Sequence, residues 1–319
     1  MPHAVPDWDA GSFCITCAKQ RRDLVHGLDP ATEMGGLVFH PDPSQRVPRT
    51  QNGSNGVQDS LGFGVKRHST AVGEAPNSPF NQNSGVWPEY GQGALPHCSD
   101  DLANCAPTCP LDTLLIDFLF ERRQRAADGL PVQEVIRPRY PSVSSLLNPA
   151  QSVYSHPMSK VFTDILQTFP DLSRLPERVA MLYIMFLTMR WRVSPTDENY
   201  DRLPEWMRPR RAQLTDPHPA WIDHFLPFPG LRVKLVDDYG LSKIPFDDLF
   251  IPFTATLSLN WPYEDTDTLL QHPNGDELMI NPVFERHLRR LENWSLGNAF
   301  SKAFPGLVGT YNLQSEGSE

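Results

Sequence analysis

The stretch Pro176-Glu177-Arg178-Val179-Ala180-Met181-Leu182-Tyr183-Ile184-Met185-Phe186-Leu187-Thr188-Met189-Arg190 decides the fold class. Proline suits the first turn of a helix, Glu177 favours its positive end, and Arg190 and Arg192 favour its negative end. Between the arginines, apolar residues cover nearly every face. A helix that is apolar all round must be surrounded by others, so the pattern predicts the central helix of a bundle. The apolar run from Val179 to Met189 falls well short of the roughly 20 residues needed to span a bilayer, and no membrane partner is expected.

Outward from this helix, other segments carry helical spacing. Leu111, Leu114, Leu115, Phe118 and Leu119 form a stripe that Gly129 and Pro131 bring to an end. A second start follows Ser142, with Val143, Leu146 and Leu147 stopped by Pro149. Ser155-His156-Pro157 opens a third, with Val161, Phe162, Ile165, Leu166 and Phe169 on one side. After Pro195 the chain becomes rich in proline and tryptophan. A helix is predicted from about Leu231 to Tyr239, and a short helix or turn from Phe246 to Phe253. Thr254 to Asn260 alternates weakly, as a strand or an extended layer. Asn281-Pro282 is a strong helix start, with Val283, Phe284, His287, Leu288 and Leu291 as the expected buried stripe.

The rest of the chain has a different character. Proline makes up 32 of the 319 residues, about twice the usual share of roughly 5%. Gly53 to Pro96 is mostly Gly, Ser, Asn, Gln and Pro, and no period persists there. Such text cannot bury enough apolar surface to offset an ordering entropy of about 1–2 kcal/mol per residue. The expected architecture is therefore mainly α. An irregular helical bundle with Pro/Trp-rich connections spans residues 107–313, after a long disordered arm over 1–106 and before a short tail over 314–319.

With 28 basic against 38 acidic side chains, the net charge is −10. A surface of that sign is repelled by phosphate, which disfavours direct nucleic-acid binding by the whole chain. The N-terminus lacks the basic start and apolar core of a secretory signal. Five cysteines, an odd number in a long chain, do not make a secreted disulfide framework. An intracellular protein is expected.

Few motifs carry chemistry. Cys14 and Cys17 form a C-x2-C pair beside Lys19, Arg21 and Arg22, but Leu24 stands where a fungal binuclear zinc cluster would need its next ligand. Cys98, Cys105 and Cys109 are too distant in sequence to complete the pattern. His218, Asp223 and His224 lie within seven residues but lack the spacing of a metal-binding helix, so backbone capping is the expected role. Glu264, Asp265 and Asp267 fail the EF-hand pattern at Leu269 and Leu270. Trp191, Trp206, Trp221, Trp261 and Trp294 read as packing anchors. Arg208, Arg210 and Arg211 form a short basic patch of the kind used for nuclear import. No catalytic residue, cofactor or metal site is expected.

Several ordered motifs resemble a known family. They are Cys109-Pro110-Leu111-Asp112, Tyr140-Pro141-Ser142-Val143, Pro217-His218-Pro219-Ala220-Trp221-Ile222-Asp223, Pro227-Phe228-Pro229-Gly230-Leu231-Arg232 and Asn260-Trp261-Pro262. Together they resemble an uncharacterised C-terminal domain of fungal proteins, commonly found downstream of a basic leucine zipper. The resemblance runs from Cys109 to near Leu313 and implies transcription regulation in the nucleus. The family assigns no catalytic residues. No zipper accompanies the motifs here: neither the basic helix nor leucines every seven residues occur. The expected role is a regulator or co-regulator acting through protein partners, among them a basic leucine zipper protein. The rivals are a helical small-molecule sensor and an enzyme without a recognisable motif.

Overall fold

The structure, a computed structural model, describes residues 96–239, 244–272 and 277–314. The expected arm lies outside the described residues up to position 95, as do Cys14, Cys17 and the tail from residue 315.

The architecture is mainly helical, as the sequence predicts. At its centre is helix α5 (Leu175–Val193). Every residue from Val179 to Leu187 is almost completely buried. Around it pack α1 (Pro110–Ala127), α4 (Pro157–Gln167) and the short α8 (Ala220–Phe225), and α1 also meets α8 directly. Helix α1 ends at Ala127, and Gly129 follows with φ of +98°, the left-handed turn that glycine allows most easily. His156 caps α4 by accepting from the Met158 N–H.

Short elements fill the spaces that the sequence left as connections. These are α2 (Val132–Val135), α6 (Asp197–Asp201) and α7 (Arg211–Thr215), while the helix start expected after Ser142 is α3 (Ser144–Leu147), which stops before Pro149. Helix α9 (Pro229–Tyr239) begins two residues before the expected start and packs on α7. Helix α10 (Phe246–Thr256) is longer than foreseen and carries Pro252 inside it. It takes Thr254 to Thr256 from the expected strand, which shrinks to β1 (Leu257–Ser258).

Two antiparallel strand pairs complete the fold. β1 pairs with β4 (Ser295–Leu296), while β2 (Leu269–Gln271) pairs with β3 (Leu278–Ile280). Helix α11 (Pro282–Leu288) starts at the Asn281 cap as expected, and α12 (Asn298–Ala303) packs on α10. The α11 stripe needs correction at its edge. Phe284 and Leu288 are fully buried, whereas Val283 is 46% exposed and Leu291 falls in a separate 3-10 turn.

The domain boundary also moves. Residues 96–106, read as the end of the arm, are fastened to the bundle by backbone hydrogen bonds. Ala103 N–H donates to Gln213 (2.9 Å), Cys105 N–H to His218 (2.9 Å), and His218 N–H back to Ala103 (3.1 Å). The sequence of this stretch has no apolar period, because these bonds come from the backbone alone.

All five tryptophans read as anchors are buried. Four spend their indole N–H on a distant or turn carbonyl: Trp191 on Cys98, Trp206 on Arg289, Trp261 on Glu264 and Trp294 on Leu288.

Candidate functional site

His218, Asp223 and His224, scattered over one Pro-rich turn and α8, are brought together in the interior. All three are buried. His218 Nδ1 lies 2.7 Å from the Asp216 carbonyl, and its Nε2 lies 2.9 and 3.2 Å from the two Asp223 carboxylate oxygens. Both ring nitrogens thus face acceptors, which favours the doubly protonated ring, although the Asn104 amide nitrogen also approaches Nε2 at 3.3 Å. Burial works against that charge, but the Asp223 hydrogen bond and charge outweigh it and raise the His218 pKa. Burial likewise disfavours the Asp223 carboxylate. The His218 hydrogen bond and charge, with Arg192 and Asn104, overcome this and hold Asp223 down at about 2.

The network reaches further. Asn104 Nδ2 donates to Asp223 Oδ2 and Gln213 Nε2 to Asp223 Oδ1, each at 2.7 Å. Arg192, from the end of α5, donates to Asn104 Oδ1 at 2.6 Å. Arg232 of α9 is fully buried and donates to the carbonyls of Leu226 (2.8 Å) and Trp206 (2.6 Å). Burial pulls its guanidinium down to about 9, still charged at neutral pH. His224 differs from His218. Its Nδ1 donates to the Ala220 carbonyl at 3.0 Å, and its Nε2 is buried with no partner among the described residues. Burial, then the Arg192 charge, pulls its pKa down to about 4, so the ring is neutral.

The same logic governs Asp112. Its buried carboxylate accepts from the Thr108 N–H (3.0 Å), the Thr108 hydroxyl (2.6 Å) and the Trp221 N–H (2.9 Å). One side chain thereby ties the start of α1 to the start of α8, satisfying donors that a helix N-terminus leaves unpaired. Gly230 approaches the Thr310 carbonyl so closely that a Cβ would lie 3.0 Å from its oxygen. Asn260, with φ of +50°, donates to the Asn293 carbonyl and to Ser295 Oγ beside the β1–β4 pair. In each of these motifs, the conspicuous residue makes a tertiary connection.

The basic patch is only partly free. Arg208 pairs with Asp201 at 3.0 Å and lies over the Tyr200 ring, 4.8 Å from its centroid. Arg210 and Arg211 are exposed at the start of α7. Asp265 pairs with Arg174 at 3.3 Å, while Glu264 and Asp267 face solvent.

A second constellation was invisible in the sequence because Asp197 stands far along the chain from its partners His97 and Cys98. A ring nitrogen of His97, Cys98 Sγ and an Asp197 carboxylate oxygen all lie within 4.8 Å of one another. The neighbouring Asp197 carboxylate, and then burial, push the Cys98 thiol pKa up, the opposite of what a nucleophilic cysteine needs. Cys105 and Cys109 sit elsewhere, around the Tyr239 hydroxyl.

Comparison with known proteins adds one finding. Residues 186–316 match the family model of a domain of unknown function, DUF3425. The match begins within α5 and takes in the His218–Asp223 network, the Gly230 contact and Asn260. The earlier motifs at Cys109 and Tyr140 lie before it, although α1 packs directly on matched helix α8. No curated protein and no solved structure matches this chain. No helix among the described residues is long and apolar enough to cross a membrane.

Proposed function

We propose that this chain regulates transcription by binding protein partners, without reading DNA itself. One observation carries the partner-binding part. Leu270 of β2 and Met279 of β3 are directly opposed across the strand pair, so their side chains lie on the same face. Both are exposed, at 44% and 38%, while the neighbouring pair uses the other face to bury Ile280. An outward apolar pair on a strand ribbon is a natural docking element. The exposed Val283 follows three residues after Ile280.

The nuclear part rests on the resemblance of the ordered motifs to the fungal domain that accompanies basic leucine zippers, and Arg210 and Arg211 are the exposed residues available for import. The buried, fully engaged His218–Asp223 pair favours a binding role over an enzymatic one, because no substrate atom can reach it without opening the core. The partner of choice is a basic leucine zipper protein.

The test is affinity purification of the tagged full chain from nuclear and cytoplasmic fractions, beside a Leu270→Glu/Met279→Glu variant. Recovery from nuclei with a zipper protein, lost in the variant, is the expected result. A cytoplasmic protein with no such partner would overturn the reading.

A further inference from the structure

We propose that His97, Cys98 and Asp197 form a binding site for a zinc-class divalent metal ion. Three observations lead there. The first is chemical. Thiolate, imidazole and carboxylate together are the ligand set of zinc and its transition-metal neighbours, whereas magnesium and calcium take oxygen ligands.

The second is geometric. His97 Nδ1 and Cys98 Sγ are 3.6 Å apart. Zinc bonds of about 2.0 Å to nitrogen and about 2.3 Å to sulfur, at the tetrahedral angle, place the two ligand atoms about 3.5 Å apart. The third is the state of the imidazole. The Ser99 backbone N–H (3.3 Å) and the Ser99 hydroxyl (2.9 Å) both lie against His97 Nδ1, so with the ring proton on Nε2 this nitrogen offers a lone pair, and a metal there takes the place of the serine contacts. A metal needs that lone pair, and the nitrogen bearing it is the one facing the sulfur.

The ligands are also held in place beforehand. The Cys98 carbonyl accepts from the Trp191 indole at 2.9 Å, and the Tyr200 hydroxyl donates to the Pro96 carbonyl at 3.3 Å. His97 N–H donates to Asp100 Oδ2 at 2.7 Å, and Asp100 N–H donates back to the His97 carbonyl at 3.1 Å. Asp197 opens α6, where the Thr196 hydroxyl accepts from Asn199 N–H. The Trp191 and Tyr200 rings pack edge-to-face at 5.6 Å, so both ligand-bearing segments rest on one rigid aromatic pair. Three protein ligands leave a fourth tetrahedral position open for water or for a side chain of another molecule. Binding displaces the Cys98 proton to solvent and leaves the thiolate on the metal. No electrons are exchanged.

The experiment is titration of the chelator-treated full chain with cobalt(II) and zinc(II). Cobalt should give the near-ultraviolet charge-transfer band of a thiolate ligand, at one ion per chain, and zinc should abolish it by competition. Cys98→Ser should lose the band. Asp197→Asn should weaken binding at least about tenfold, since losing a ligand should cost no less than losing a residue that only orients one. Cys14→Ser/Cys17→Ser should retain the band, which separates this site from the other cysteine pair. His97→Ala changes an exposed side chain, so it serves where Cys98→Ser does not fold, and it too should lose tight binding. The proposal is overturned if the wild type shows no thiolate band, if Cys98→Ser or His97→Ala binds as tightly as the wild type, or if only the Cys14/Cys17 variant loses binding.

Discussion

His224 should make this domain acid-sensitive over a defined range. Its Nδ1 donates to the Ala220 carbonyl, its Nε2 has no partner, and burial together with the Arg192 charge holds its pKa near 4 against an ordinary 6.5. Between those two values the unfolded chain binds a proton there that the folded chain refuses. Stability therefore falls as pH drops from 6.5 towards 4. At 1.36 kcal/mol per pH unit of differential protonation, the loss between about pH 7.5 and about pH 4.5 is about 2.5 kcal/mol.

Other groups act in or near the same range. His218, with its pKa raised, contributes stability that is complete below 6.5 and is lost as pH rises through its folded value. Asp223 contributes stability above its ordinary 3.8 and loses it only as pH falls towards about 2. Glu177, raised chiefly by burial, opposes His224 at the acid end. His156, lowered chiefly by burial, adds to it. The clean measurement is consequently a difference. Urea unfolding followed by tryptophan fluorescence at each pH gives one curve for the wild type and one for His224→Asn, which keeps a side-chain donor but cannot titrate. The gap between the curves should change by about 2.5 kcal/mol across that range. Parallel curves would refute the reasoning.

Two further expectations concern the motif residues. Asp112→Ala strips the partner from the buried Trp221 N–H, while the two donors of exposed Thr108 can turn to water, so stability to urea should fall by about 1–3 kcal/mol, the cost of one abandoned buried donor; a variant as stable as the wild type contradicts it. Gly230→Ala should destabilise even though alanine favours a helix by about 1 kcal/mol. The crowded atom is the backbone oxygen of Thr310, next to Tyr311, whose ring packs on Phe228 and Phe300. A raised melting temperature would show that this loop yields.

Which parts of the fold were legible follows from what each part depends on. The central helix was legible because Val179 to Leu187 is apolar on every face, a local pattern with one structural solution. Pro110, Pro157 and Pro282 marked helix starts for the same local reason, and all three occupy a first helical turn. The five-residue helices α6 and α7 escaped because they span too few residues to show a period. Thr254 to Thr256 were misassigned because two threonines around the helix-favouring Ala255 cannot resist a helix already stabilised by Leu249, Phe250 and Phe253 in the core.

The sites divide in the same way. His218 and Asp223 were visible as neighbours, but their partners Asn104, Gln213 and Arg192 join through tertiary contacts. Capping was the expected role for His218, and its Nδ1 does bond a backbone carbonyl; its Nε2 makes the larger connection. The group of His97, Cys98 and Asp197 could not be read at all, since no spacing rule joins positions 98 and 197.

The conspicuous His218–Asp223 pair is expected to hold the domain together. A double-mutant cycle with His218→Gln and Asp223→Asn tests it most directly, with stability measured by urea unfolding at neutral pH. Each single change removes one partner from a buried, hydrogen-bonded pair and should cost about 3 kcal/mol or more. The double variant should cost clearly less than the sum, with a coupling above about 1 kcal/mol. Strictly additive losses, or single variants as stable as the wild type, would contradict the account.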